Sequence, residues 1–294
     1  MGAAHALLRG FSLEMTAKDG DSITEAASLV PVGTRVHLTF LGNEELSLRV
    51  SAAAAITDAG LIPVPHIAAR RLRSGQELDG LLRSLHAVGA SDHLCVIGGD
   101  PSTPAGPFDS SLSVIRSGAL ARHGVRTVAV AGYPDGHPDI PTATVWEHLD
   151  LKLAALREQD IEALVVTQFS FDAAAVVDWV CAVRERGITT PIRIGIPGPV
   201  NAKRLIGFAR RFGISANALI VRKYGFSLTN LMTSAGPDRF LTDLAARLSR
   251  LPVPPDGAEV DVHFYTFGGV VATAQWVHDV TAAPGRPHDA AVND

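Results

Sequence analysis

The stretch Arg126–Phe169, RTVAVAGYPDGHPDIPTATVWEHLDLKLAALREQDIEALVVTQF, decides the fold. It opens on a β-branched apolar run, Arg126–Gly132, and closes on another, Ala163–Phe169. Between them a Pro/Gly-rich turn gives way to Val145–Gln159, whose apolar residues recur at helical spacing. Strand, turn, helix and strand in that order make a parallel β/α/β unit, because parallel neighbours need a crossover. The pattern extends in both directions. Strand-like runs stand at Gly10–Met15, Arg35–Leu41, Leu61–Ile67, His93–Gly98, Pro191–Ile196 and Val260–Phe267. Helical spacing marks Leu46–Ala59, Gly75–Val88, Leu112–His123, Ala173–Arg186, Ala202–Phe212 and Arg239–Leu251. Eight such strands in 294 residues predict an α/β fold, a single (β/α)8 TIM barrel over residues 1–282, rather than an open doubly wound sheet. Residues 283–294 are polar, contain Pro and Gly, and read as a disordered tail. Pro101–Ser111 reads as a loop and Pro252–Gly257 as a turn. The run Ala216–Val221 is also strand-like and leaves the role of residues 216–236 open.

Composition narrows the function classes. The chain is 47% hydrophobic, enough for a sizeable core, and its net charge of −4 comes without a block of like charges. Neither a nucleic-acid footprint nor a basic membrane-surface helix is present, so neither partner is expected. The two cysteines, Cys95 and Cys181, lie in apolar runs and read as buried thiols of a reducing compartment. No apolar run reaches membrane-spanning length and no secretory leader is read at the start, so a cytoplasmic location is expected.

In a barrel of this kind the chemistry sits at the C-terminal ends of the strands. Glu14 ends the first run, on the same face as Ser12 and opposite Phe11, Leu13 and Met15. Thr39 ends the second and His66 the third. Gly98-Gly99-Asp100 follows the fourth, and Tyr133 and His137 the fifth. Thr167-Gln168 closes the sixth, while His263 and Tyr265 lie in the last. Each has a structural reading beside the functional one. Glu14 fits a buried pair with Arg or Lys, Asp100 a turn or Asx cap, Gln168 a backbone partner, and His66 and His263 hydrogen-bonded core positions. Their joint placement at one rim favours function. There is no H-x-H, H-E-x-x-H or C-x-x-C, so no local ligand pair is set up and no metal is expected. A G-x-S-x-G elbow and a G-x-G-x-x-G fingerprint are also absent.

At these residues the chain resembles the methylenetetrahydrofolate reductase family, from about Phe11 to Val280. The resemblance is carried by Phe11-Ser12-Leu13-Glu14, Pro65-His66, Gly99-Asp100 and Gly132-Tyr133-Pro134 with His137-Pro138. It continues through Thr167-Gln168-Phe169 with Phe171-Asp172 and His263-Phe264-Tyr265-Thr266. It implies reduction of 5,10-methylenetetrahydrofolate to 5-methyltetrahydrofolate by NADH or NADPH, usually through FAD, in one-carbon metabolism and methionine biosynthesis. On it, Glu14 is the general acid and Asp100 the carboxylate near flavin and pterin. Gln168 binds folate, with Tyr265 beside it, and Thr39, His66, Gly98, Gly99, Tyr133 and His137 line the cofactor. No nucleotide fingerprint chooses between NADH and NADPH, and a homo-oligomer is compatible with the sequence. A folate-dependent methyl or one-carbon transferase on the same barrel is the alternative. It would keep Glu14 and Gln168 and need no nicotinamide.

The departures from the family cluster on the flavin. Gly98 stands where the family has an arginine. Ala154-Ala155-Leu156-Arg157-Glu158 replaces its lysine-bearing segment, and Leu41-Gly42-Asn43-Glu44-Glu45 adds acids and loses an arginine. Ala202 replaces an aromatic residue, and Gly268-Gly269 a further arginine. A charge-assisted contact is worth roughly 1.5–3 kcal/mol. Losing two predicts FAD affinity lower by about a hundredfold to ten-thousandfold, unless Arg70, Arg71 or Arg157 compensates. FAD is therefore expected to bind weakly or not at all, with hydride passing directly from the nicotinamide to folate.

Overall fold

The computed structural model describes residues 2–40, 42, 44–201, 234–251 and 259–282. Eight parallel strands close a barrel. They are β1 (Ser12–Thr16), β2 (Arg35–Thr39), β3 (Ile62–Ala68), β4 (His93–Ile97), β5 (Thr127–Gly132), β6 (Glu162–Thr167), β7 (Ile192–Pro197) and β8 (Val260–Tyr265). Each strand pairs with its neighbours in sequence, and β8 closes on β1 with Ser12 opposite His263. All eight strand runs read from the sequence are present, with ends within two residues of those expected.

The surrounding helices are α1 (Leu46–Asp58), α2 (Gly75–His86), α3 (Ser111–Arg116), α4 (Ala119–Arg122), α5 (Thr142–Arg157), α6 (Ala173–Glu185), α7 (Asp238–Leu248) and α8 (Val270–Ala282). Local chemistry starts several of them. Ser74 accepts the Glu77 N–H to cap α2, and Asp172 accepts those of Ala174 and Ala175 to cap α6. The single helix expected over Leu112–His123 is instead two, α3 and α4. Gly118 takes φ +69 between them, a left-handed conformation that ends one helix and admits the next. Helix α8 and the short helices at Gly2–Ala6, Ala17–Ser22 (3-10) and Ile23–Ala27 were not anticipated. A two-residue antiparallel ladder joins Val200–Asn201 to Ser234–Ala235. The expected helix Ala202–Phe212, the run Ala216–Val221, the turn Pro252–Gly257 and the tail Ala283–Asp294 lie outside the described residues.

The alternation of side chains along each strand builds two cores. Leu13, Met15, Val36, Leu38, Val128, Val130, Ile194 and Phe264 point outward and are sealed by the helices. Inside the barrel, Val64, Cys95, Ala129, Leu164 and Val166 form a separate apolar cluster on β3 to β6. The rest of the lumen is polar: Ser12, His37, His66 and His263 are all buried there. Cys95 is buried as expected, whereas Cys181 is only half-buried, and both are free thiols. No helix among the described residues is long and apolar enough to cross a membrane.

Candidate active site

Strand register sets the centre of the lumen. Glu14 lies directly across from His37 on β2, and His66 on β3 lies directly across from Cys95 on β4. The His37 and His263 rings stand 4.5 Å apart, and His37 meets His66 edge-on at 5.4 Å. His37 Nδ1 and His66 Nε2 share a 3.2 Å hydrogen bond, and Ser12 Oγ bonds His263 Nδ1 at 2.8 Å. One partner in the imidazole pair must be the donor and the other the acceptor, so at least one ring is neutral.

Burial makes this a lumen of uncharged rings. It lowers His66 to about 4 and His263 to about 3, and holds His37 well below the ordinary histidine range. The same desolvation acts on Glu14 in the opposite sense. It raises the carboxyl to about 7, only partly offset by His66. The Glu14 side chain is 18% exposed, and His263 Nε2 stands 3.9 Å from its Oε2. That distance is too long for a hydrogen bond, and a neutral ring makes no ion pair. Among the described residues, Glu14 has no ion pair with an Arg or Lys, the structural reading set beside the functional one. Its backbone carbonyl is fixed by the Thr266 hydroxyl at 2.6 Å, which ties the end of β1 to that of β8.

Tyr265 stands over this group. Its ring packs against His263 at 4.9 Å and Phe169 at 5.1 Å, and its hydroxyl donates to the Thr167 carbonyl at 3.0 Å. Gly195 makes the fit. A Cβ there would lie 2.3 Å from the Thr167 carbonyl oxygen and 2.7 Å from the Tyr265 ring. Gln168, half-buried beside them, accepts the Phe169 N–H at its own side-chain oxygen. Tyr133 reaches the same group from β5: with Glu14 and Cys95, it belongs to the electrostatic surroundings of Tyr265. Its ring meets His137 at 5.1 Å. It also lines a cavity of about 420 Å³ with Pro134, Asp135, Trp146, Asp178 and Trp179. The two indoles there are stacked at 5.9 Å, and Arg186 lies 4.4 Å over Trp146.

Of the residues expected from the sequence, the structure brings Glu14, His66, Tyr265 and Tyr133 to one place. Thr39 ends β2 opposite Thr16, half-buried at the rim. Asp100 stands elsewhere. Its side chain is 74% exposed and grips the Arg71 guanidinium through both oxygens, at 2.7 and 2.9 Å. Among the described residues it has no contact with Glu14 or the histidines. Gly98 faces open space and Gly99 takes φ +90 next to Ala68. Sequence reasoning missed His37 and Arg49. His37 was within reach, since period two from Thr39 lands on it. Arg49 comes from α1, where no strand pattern points. It is buried, donates to the His66 carbonyl at 2.6 Å and stacks 4.0 Å over Phe40.

The residues that would hold an FAD diphosphate can now be tested. Arg70 gives its guanidinium to the carbonyls of Pro101, Ser102 and Asp109. Arg71 is held by Asp100 and the Gly42 carbonyl. Arg157 is exposed in the last turn of α5, next to the start of β6 and so at the opposite end of the barrel. Neither Arg70 nor Arg71 is free at the rim, and Arg157 lies away from it. Ala202 lies outside the described residues.

Comparison with known proteins gives the following. The sequence pattern of the family described as methylenetetrahydrofolate reductase matches residues 20–224, more than half of the chain. Methylenetetrahydrofolate reductase 2 of Saccharomyces cerevisiae is 34% identical over 87 residues, which is 29% of this chain and 13% of that protein. The chain thus spans a small part of that curated relative. Among solved structures, a putative lyase/mutase from Burkholderia cenocepacia is 12% identical with a TM-score of 0.49, covering 92% of this chain and 80% of that one. Dihydropteroate synthase from Thermus thermophilus is 14% identical with a TM-score of 0.45, covering 92% of this chain and 93% of that one.

Proposed function

The chain belongs to the methylenetetrahydrofolate reductase family, and on that premise we propose that it reduces 5,10-methylenetetrahydrofolate to 5-methyltetrahydrofolate with hydride taken directly from NADH or NADPH. The observation that carries this reading is Glu14, a carboxyl raised to about 7 by burial in the lumen and only partly offset by His66. Such a group is about half protonated at neutral pH and can both hold and release its proton, which is what a general acid requires. It gives that proton to N10 of the substrate. The C–N10 bond of the five-membered ring breaks, and N5 is left as an iminium cation. Hydride from the nicotinamide adds to the methylene carbon, forming the methyl group and the oxidised nicotinamide. One proton and one hydride are consumed per turnover.

The rim supplies the binding half of this reading. Gln168 and Tyr265 flank the pterin. The dinucleotide runs over Thr39, His66, Gly98, Gly99, Tyr133 and His137, where open backbone at Gly98 leaves room. Asp100 stands ready to face the iminium once Arg71 lets go of it. A route without FAD is supported by Arg70 and Arg71, which are bonded within the chain.

The experiment is a nicotinamide oxidation assay on purified protein with methylenetetrahydrofolate and no added flavin. Loss of reduced-nicotinamide absorbance, with 5-methyltetrahydrofolate appearing in equal amount, is expected. Folate binding without oxidation of either nicotinamide would turn the assignment toward a one-carbon transferase. A stoichiometric flavin spectrum in the unsupplemented protein would overturn the direct hydride route.

A further inference from the structure

Three consecutive strands each place one potential metal ligand in the lumen: His37 from β2, His66 from β3 and Cys95 from β4. All three side chains are buried, and one ligand atom from each lies within 4.8 Å of the other two. His37 Nδ1 and His66 Nε2 are already 3.2 Å apart. Two nitrogens bound to one tetrahedral zinc at about 2.1 Å would stand roughly 3.4 Å apart, so little movement is needed. The other nitrogen of each ring, His37 Nε2 or His66 Nδ1, is buried without a hydrogen-bond partner among the described residues. No bond on that side fixes either tautomer, so each ring can carry its proton there while the facing nitrogen coordinates.

We propose that His37, His66 and Cys95 form a binding site for a borderline-soft divalent cation such as Zn2+, beneath Glu14. Two imidazoles and a thiolate suit zinc and its neighbours and disfavour magnesium and calcium. Binding converts the Cys95 thiol to a thiolate, and its proton leaves to solvent. No electron is exchanged. The bound cation lies near Glu14, which sits across from His37 in the strand register.

Co2+ is titrated into the full chain as a spectroscopic stand-in for Zn2+. The expected result is one Co2+ per chain with a near-ultraviolet thiolate-to-cobalt band, displaced by Zn2+ and absent in Cys95→Ala. Alanine is a small change in an apolar surround, and a thermal melt checks that the variant folds. The absence of a thiolate band in the wild-type protein overturns the site without recourse to any variant. So does a band that persists in Cys95→Ala.

Discussion

The lumen and the rim of this barrel treat charge in opposite ways. In the lumen charge is suppressed: Glu14 is raised to about 7, and His66 and His263 are lowered to about 4 and 3. At the rim charge is kept but spent internally. Arg71 is closed on Asp100, and Arg70 on three loop carbonyls. The lumen thus holds a proton ready to give, while Arg70 and Arg71 at the rim are bonded within the chain. Proton donation and diphosphate binding are separable properties, set by burial in one region and by free guanidinium groups in the other.

The largest expected effect breaks the lumen side. Glu14→Gln keeps the shape and removes the proton. Steady-state turnover should fall by about a hundredfold to ten-thousandfold, the usual span for a general acid. Unchanged turnover would end the acid assignment.

The second effect is on stability. Between about 4.5 and 7 the folded chain keeps the Glu14 proton that the unfolded chain releases, so this group makes stability fall as pH rises. A shift of this size corresponds to about 3 kcal/mol. Urea melts should therefore show Glu14→Gln more stable than wild type by that order at pH 8, and nearly equal to it at pH 4. His66 and His263 act in the other direction. Their folded values lie below the unfolded one, so their contribution is present above about 6.5 and is lost as pH falls toward 4 and 3. A pH-independent difference between the two proteins would contradict the desolvated lumen.

Next comes the rim. Gly98→Arg returns a cation to open space, and FAD affinity followed by flavin fluorescence should rise about tenfold to a hundredfold. No change would end the reading of Gly98 as a position that weakens FAD binding. The smallest effect is that of Arg71→Ala. It removes an exposed pair worth about 0–1 kcal/mol, so the melting curve should barely move. KM for methylenetetrahydrofolate should change more than kcat if the freed Asp100 turns toward substrate.

The barrel was legible in the sequence because period-two apolar runs and helical spacing repeat along the chain. That same alternation put Glu14, Tyr265 and Tyr133 together at one end of the barrel. It failed where a neighbour in space rather than in sequence decides the outcome. The role of Asp100 at the rim depends on Arg71, which is 29 residues away in the chain. Arg49 reaches His66 from a helix. The group His37, His66 and Cys95 has one member on each of three strands, so no short motif could announce it. Gly118 was read through as helix because one glycine is tolerated in a helical pattern, and only its positive φ shows the break.

The stacked indoles beside Tyr133 have a practical consequence. Trp146 and Trp179 are two of the three tryptophans in the chain, and both line the cavity that Tyr133 shares with the candidate site. Two of the three indoles therefore stand beside the rim on which the proposed function lays a reduced nicotinamide. Indole light is absorbed by reduced nicotinamide, so on that proposal the chain carries its own donor for energy transfer. Docking of the dinucleotide would then be visible in the unlabelled protein, before any chemistry takes place.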